Sequence, residues 1–169
     1  MRSVIAAAVL TLAVACGSDA GPAERYQATD DGVSFARVAD WSIRRERATL
    51  LLTKSGDPAT IAIRVTPRAG WSEPRDQRNV FPAVARVLEG LPAAQVSGPA
   101  DVPSVDRPAA AYEVDFTPPG PKRARYHRRH VTILSDHKII HVFVTGPAGL
   151  LVSSRDAFDT IVKTIREEA

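Results

Sequence analysis

The stretch Arg123-Ala124-Arg125-Tyr126-His127-Arg128-Arg129-His130-Val131-Thr132-Ile133-Leu134-Ser135-Asp136-His137-Lys138-Ile139-Ile140-His141-Val142-Phe143-Val144-Thr145 decides the fold class. Its β-branched and aromatic residues fall into two runs, Arg123 to Leu134 and Lys138 to Thr145, on either side of the turn-forming Ser135-Asp136-His137. Two such runs around a tight turn form an antiparallel hairpin. A register centred on Asp136-His137 pairs Thr132 with His141 and His130 with Phe143. His130 and His141 then share one face as diagonal neighbours, His127 points to the other face, and His137 lies at the tip.

Upstream of the hairpin, Val33 and Phe35 alternate with Ser34 and Ala36 in a first strand leading through Trp41 into a turn. Ala48 to Thr53 and Ala59 to Thr66 make a second hairpin around Lys54-Ser55-Gly56-Asp57. Its second strand aims Ile61, Ile63 and Val65 one way and Ala62, Arg64 and Thr66 the other. Val80, Val84, Val87, Leu88 and Leu91 recur at helical spacing, with Asn79 as N-cap, Pro82 in the first turn and Gly90 and Pro92 closing the helix. Val96 to Pro108 reads as short extended pieces, Ala110 to Phe116 as a strand, and Thr117 to Pro121 as a loop. Downstream, Ser153 and Asp156 have capping-box spacing ahead of the apolar stripe Phe158, Ile161, Val162 and Ile165. About six strands, with helices only in the middle and at the end and no βαβ alternation, predict an α+β domain: an antiparallel sheet flanked by helices.

With 169 residues, 44% hydrophobic and 24% charged, the chain has the length and composition of one folded domain. Its single cysteine, Cys16, excludes an intrachain disulfide framework and a cysteine-based zinc site. Met1-Arg2, the uncharged apolar run Val4 to Ala15 and then Cys16 form a leader too short to cross a bilayer, which takes about 20 apolar residues. Ala13-Val14-Ala15-Cys16 resembles the bacterial lipobox, which implies cleavage before Cys16 and a lipid on its sulfur. The expected organisation is a lipoprotein signal peptide over residues 1–15, a flexible tether over 16–31 and one globular domain over 32–169. A net charge of +3, carried by 22 basic and 19 acidic residues, offers no general argument for nucleic acid.

The order of elements from Gly32-Val33-Ser34-Phe35 and Asp40-Trp41, through Val65-Thr66, the Ala-rich strand before Tyr112 and Ile140 to Val144, to Phe158-Asp159-Thr160-Ile161 resembles the PsbP-like fold. That fold occurs in an extrinsic subunit of photosystem II and in bacterial envelope lipoproteins. The resemblance spans residues 32–168 and implies an α/β/α sandwich and an accessory or binding role. It carries over no catalytic residue.

No nucleophile elbow or phosphate loop is present, and Gly146-Pro147-Ala148-Gly149 reads as a turn. His130 and His141 supply two imidazoles where a catalytic zinc takes three protein ligands, so no metal or cofactor is expected; a metal-binding or hydrolase role for that face is the competing class. Glu113 and Asp115 alternate with buried positions and look outward to arginines across the sheet. The run Lys122 to His130 reads as a basic ribbon, wet on both faces and projecting past the sheet. Its Arg123, Arg125, Arg128 and Arg129 are the candidate contacts for an anionic lipid, a glycan or an acidic envelope protein. The function so read is a monomeric accessory or binding protein of the cell envelope, held to the membrane by lipidated (palmitate-bearing) Cys16, and not an enzyme.

Overall fold

The computed structural model describes residues 24–68, 73–120 and 124–168. The expectations for Cys16, for the leader and for Lys122 and Arg123 concern residues outside them. Ten strands and two helices follow in chain order. A small sheet begins with β1 (Arg25–Ala28) and β2 (Val33–Ala36). Then come β3 (Ser42–Glu46), β4 (Thr49–Thr53), β5 (Thr60–Pro67), α1 (Glu73–Glu89), β6 (Gln95–Asp101), β7 (Ala109–Phe116), β8 (Tyr126–Leu134), β9 (Lys138–Pro147), α2 (Val152–Thr164) and β10 (Arg166–Glu167).

Strands β3 to β9 form one antiparallel seven-stranded sheet in the order β3-β4-β5-β9-β8-β7-β6, and β1-β2-β10 form a separate three-stranded sheet. The β8–β9 register pairs Thr132 with His141 and His130 with Phe143, as the turn position requires. Because side chains alternate along each strand, the large sheet has two apolar faces. Ile61, Ile63, Val131, Ile133, Val142 and Val144 pack against α2 through Phe158, Ile161 and Val162, and against Val33 and Phe35 of the small sheet. Tyr112, Val114, Phe116, Leu134 and Ile139 pack on the other face against Val80, Val84 and Leu88 of α1. The α+β sandwich read from the sequence is the one observed.

Four local expectations are corrected. The folded domain includes residues 25–31, inside the expected tether, because Tyr26 packs its ring 5.3 Å from Phe35 and Ala28 is buried once β1 pairs with β2. Strand β3 has no alternation to announce it: Ser-Ile-Arg-Arg-Glu lies at the sheet edge with all residues but Ile43 exposed. Helix α1 begins at Glu73 instead of after Asn79, so Pro82 sits inside it. The proline removes the bond to the carbonyl four residues back; tertiary contacts hold the helix there instead, with Tyr112 Oη donating to Phe81 O at 2.7 Å. Finally, Ser153 and Asp156 form no capping box. Ser153 Oγ donates to Asp57 Oδ2 and Ser154 Oγ to Leu151 O, and no side chain caps α2.

Strand β6 carries a bulge between Ser97 and Ala100. Gly98 there has φ +109, and a Cβ on it would sit 2.5 Å from Ala111 O, so only glycine fits.

The turn between β8 and β9 collects polar partners from distant parts of the chain. Arg68 N donates to His137 O, and the Arg68 side chain donates to Ser135 O and, through Nε at 2.5 Å, to Asp76 Oδ2 on α1. Arg107 and Glu167 both bond Ser135 Oγ. Arg68 and Asp76 are 8% and 0% exposed, so this pair fastens α1 to the hairpin in a site with almost no water. Removing one member of a buried pair leaves the other charge uncompensated, at about 3–5 kcal/mol. Asp76→Ala should lower the urea-unfolding free energy by that order, and Arg68→Met combined with Asp76→Leu should recover much of it; equal stability of Asp76→Ala and wild type would contradict the role of the pair.

Candidate functional site

The two faces of the large sheet are covered unequally. On one side α2 and the small sheet lie together over the strands. On the other, α1 rests on β6, β7 and β8, and no helix among the described residues covers the half made by β4, β5 and β9. A groove of about 460 Å³ follows the edge of α1. Its helix wall is Val80, Val84 and Val87, the last 74% exposed. Its floor is Arg128, His130, His141 and Phe143, and Arg64 and Thr49 stand on the far side.

Strand alternation places the floor. Arg128 and His130 of β8 lie beside Thr145 and Phe143 of β9, and His141 lies beside Arg64 of β5. His130 Nε2 and His141 Nδ1 are 3.2 Å apart, and Thr132 Oγ1 is 3.2 Å from the same His141 nitrogen. With His130 Nε2 protonated, its N–H donates to the single lone pair of His141 Nδ1, which the Thr132 hydroxyl can only share. His130 Nδ1 is then a buried acceptor with no hydrogen-bond partner among the described residues. The His130 ring stacks on Phe143 at 5.4 Å and meets Tyr112 edge-on.

Burial is the main reason both imidazoles stay neutral. It pushes His130 down to about 3, with the charges of His141 and Arg128 adding to the effect, and His141 down to about 4, with Arg64 adding. Burial also lowers Arg128. Its guanidinium lies over the rings of Phe116 at 5.3 Å and Phe143 at 4.8 Å and donates from Nε to Thr145 Oγ1. Among the described residues neither Arg64 nor Arg128 is ion-paired, and no acid lines the groove. No three His, Cys, Asp or Glu side chains converge as metal ligands among those residues.

The opposite face of β8 holds a charge network beside a second cavity, of about 380 Å³. His127 donates from Nδ1 to Asp115 Oδ1 at 2.9 Å and from Nε2 to Glu113 Oε2 at 2.8 Å. Burial opposes its charge, but hydrogen bonds to Asp115 and Glu113 outweigh burial and raise the imidazole above its usual value. Arg129 lies between Glu113 at 3.5 Å and Asp159 at 3.6 Å and over the Phe158 ring, and Arg125 approaches Asp115 at 3.6 Å. His137 is exposed at the turn and contacts Glu167.

From Tyr126 to His130 the basic run is therefore not a ribbon wet on both faces. Strand β8 is paired on both edges along its length, and its neighbours and the helices half-bury Arg128 and Arg129. Arg125 and Arg129 lie on the α2 side with their acids, and Arg128 lies in the α1 groove, so the three do not make one contact surface. The pairing of Glu113 and Asp115 with arginines was expected; the central place of His127 between them was not. Sequence reading also did not single out Arg64, although it placed Arg64 on the half-exposed face of its strand.

No family model and no curated protein matches the chain by sequence. Solved structures do match by shape. LpqN of Mycobacterium tuberculosis, described as involved in cell envelope biogenesis, aligns at TM-score 0.60 and 16% identity over 89% of this chain and 88% of its own. Cyanobacterial PsbP (CyanoP) from Synechocystis aligns at TM-score 0.52 and 13% identity over 90% and 96%. The fold is PsbP-like. The Ran-binding protein Mog1p of Saccharomyces cerevisiae shares it at TM-score 0.54 and 7% identity over 85% and 94%. A longer protein from Bacteroides thetaiotaomicron aligns at TM-score 0.59 and 11% identity over 86% of this chain, which spans only 48% of that protein. At these identities the PsbP-like likeness concerns shape alone.

His130 and His141 are neutral when folded and take up protons when unfolded. Stability from this source is complete above the ordinary histidine value of about 6.5 and falls as pH drops towards their folded values. His127 has the opposite sign: its contribution is complete below about 6.5 and is lost as pH rises through its raised value. The urea midpoint of His130→Phe should therefore drop less than that of wild type between pH 7.5 and pH 5. An equal drop in both would show that His130 is not held neutral by the fold.

Proposed function

We propose that this chain is an accessory protein of the bacterial cell envelope, anchored by a lipid on Cys16, whose PsbP-like domain binds another component without transforming it. The observation that carries the binding role is the chemistry of the groove. Proton transfer works best when the catalytic group titrates near the working pH, whereas His130 and His141 are pushed down to about 3 and 4. Their neutral rings, locked to each other and to Thr132 and Phe143, suit a fixed hydrogen-bonding floor better than an acid–base pair.

The envelope setting rests on the leader that ends at Cys16 and on the shared shape with LpqN. Attachment by an acyl group is the mode that the leader ending at Cys16 implies, and no helix among the described residues is long and apolar enough to cross a membrane. Mog1p shows that the same shape serves as a binding module in another protein.

Attachment is tested by metabolic labelling. Wild type should incorporate labelled palmitate and stay with membranes through a high-salt wash, and Cys16→Ala should lose both properties; no label on wild type would overturn the anchor. Binding is separated from catalysis by incubating the purified protein with an envelope lipid extract. A component retained in roughly one-to-one amount and recovered unchanged supports the proposal, and consumption of many equivalents would establish the hydrolase alternative.

A further inference from the structure

The groove also indicates what it takes. Apart from Asn79 its helix wall is apolar, with Val80, Val84 and Val87 spanning about 10 Å of helix at the usual rise. At its floor, two guanidiniums flank the touching imidazoles: Arg64 acts on His141 and Arg128 on His130. Arg128 is held over Phe116 and Phe143 with one bond to Thr145, which leaves most of its donors uncommitted to an acid. Elsewhere among the described residues Arg45 finds Asp31, Arg68 finds Asp76 and Arg129 finds Glu113, while the half-buried Arg25 and Arg107 take serine hydroxyls instead. The groove thus combines the half-buried Arg128 and the exposed Arg64, neither ion-paired among the described residues, with a lining free of acids beside a largely apolar wall. Its volume lies within the ordinary range of small-molecule sites, about 300–1,000 Å³.

We propose that the groove between α1 and strands β5, β9 and β8 binds a single-chain amphiphile with an anionic headgroup, the headgroup held by Arg64 and Arg128 and the chain laid along Val80, Val84 and Val87. Charge complementarity selects this occupant over a neutral lipid, because the anion removes an uncompensated cation from low-dielectric surroundings and the chain covers the exposed Val87. The inference rests on the binding role proposed above and specifies its ligand. A carboxylate and a phosphate monoester or diester satisfy the same guanidiniums.

The test uses the full chain carrying Cys16→Ala, so that no attached acyl group competes for the groove. It is titrated calorimetrically with laurate, lauroyl-lysophosphatidylglycerol and the neutral monolaurin, each below its micellar concentration. One anionic ligand per chain should bind, and the tighter of the two anions identifies the headgroup source. Arg64→Gln, at an exposed position, should weaken the anions about tenfold or more and leave monolaurin unchanged. Ala83→Trp, which fills the groove from an exposed helix position, should weaken every ligand. Equal affinity for monolaurin and laurate, with no effect of Arg64→Gln, would overturn anion recognition and leave the broader binding role standing. Binding of none of the three would overturn the groove's assignment, and the lipid-extract experiment would then decide the broader role by itself. Sedimentation of the free protein as a dimer that Ala83→Trp disrupts would also overturn the assignment, since the groove would then be a subunit interface.

Discussion

A sheet whose inner strands are hydrogen-bonded on both edges must find cover for two faces, and this molecule meets that demand unequally. A helix with its side chains is about 10–12 Å across, while strands lie about 4.8 Å apart, so one helix shields two or three strands. On one face α2 shares the work with β1, β2 and β10, and Phe35, Phe158 and Ile161 fill the space between layers. On the other face α1 is the one helix among the described residues, over β6 to β8. The groove, the half-buried state of Arg128 and the exposure of Arg64 follow from that incomplete cover.

The same shortfall explains why two histidines three residues apart on β8 titrate in opposite directions. His127 sits where α2-side acids reach it, between Glu113 and Asp115, and they raise its imidazole above the usual value against the opposing effect of burial. His130, on the alternate face, meets Phe143, Tyr112 and another imidazole, and burial holds it neutral. Strand alternation supplies the sidedness, and the partner on each side sets the charge.

Much of this was legible in the residues. The alternation around Ser135-Asp136-His137 was enough to set the β8–β9 register and to bring His130 and His141 to one face. What escaped reading has a common physical cause, namely stabilisation from across the fold instead of from local pattern. Tyr26 looks isolated in a polar segment until Phe35 is beside it. The first turns of α1 carry polar and charged residues, and only the ion pair of Asp76 with Arg68 shows why a helix begins so early. Arg128 looks like part of a solvated basic run, and only the rings of Phe116 and Phe143, from strands on either side, make it a floor residue. The missing capping box belongs to the same class, since Ser153 is drawn to Asp57 of a distant turn.

The Arg68–Asp76 fastening settles the placement of α1 at its first turns, and the Tyr112 hydroxyl secures it near its middle. Ala83 and Val87, which shape the groove, are exposed positions that belong to neither anchor. Substitutions there can reshape the binding surface while the attachment of the helix stays the same. Architecture and ligand preference are consequently free to drift apart over evolution, which fits a shape that persists at 7–16% identity in proteins as different as a mycobacterial envelope factor and a yeast Ran-binding protein.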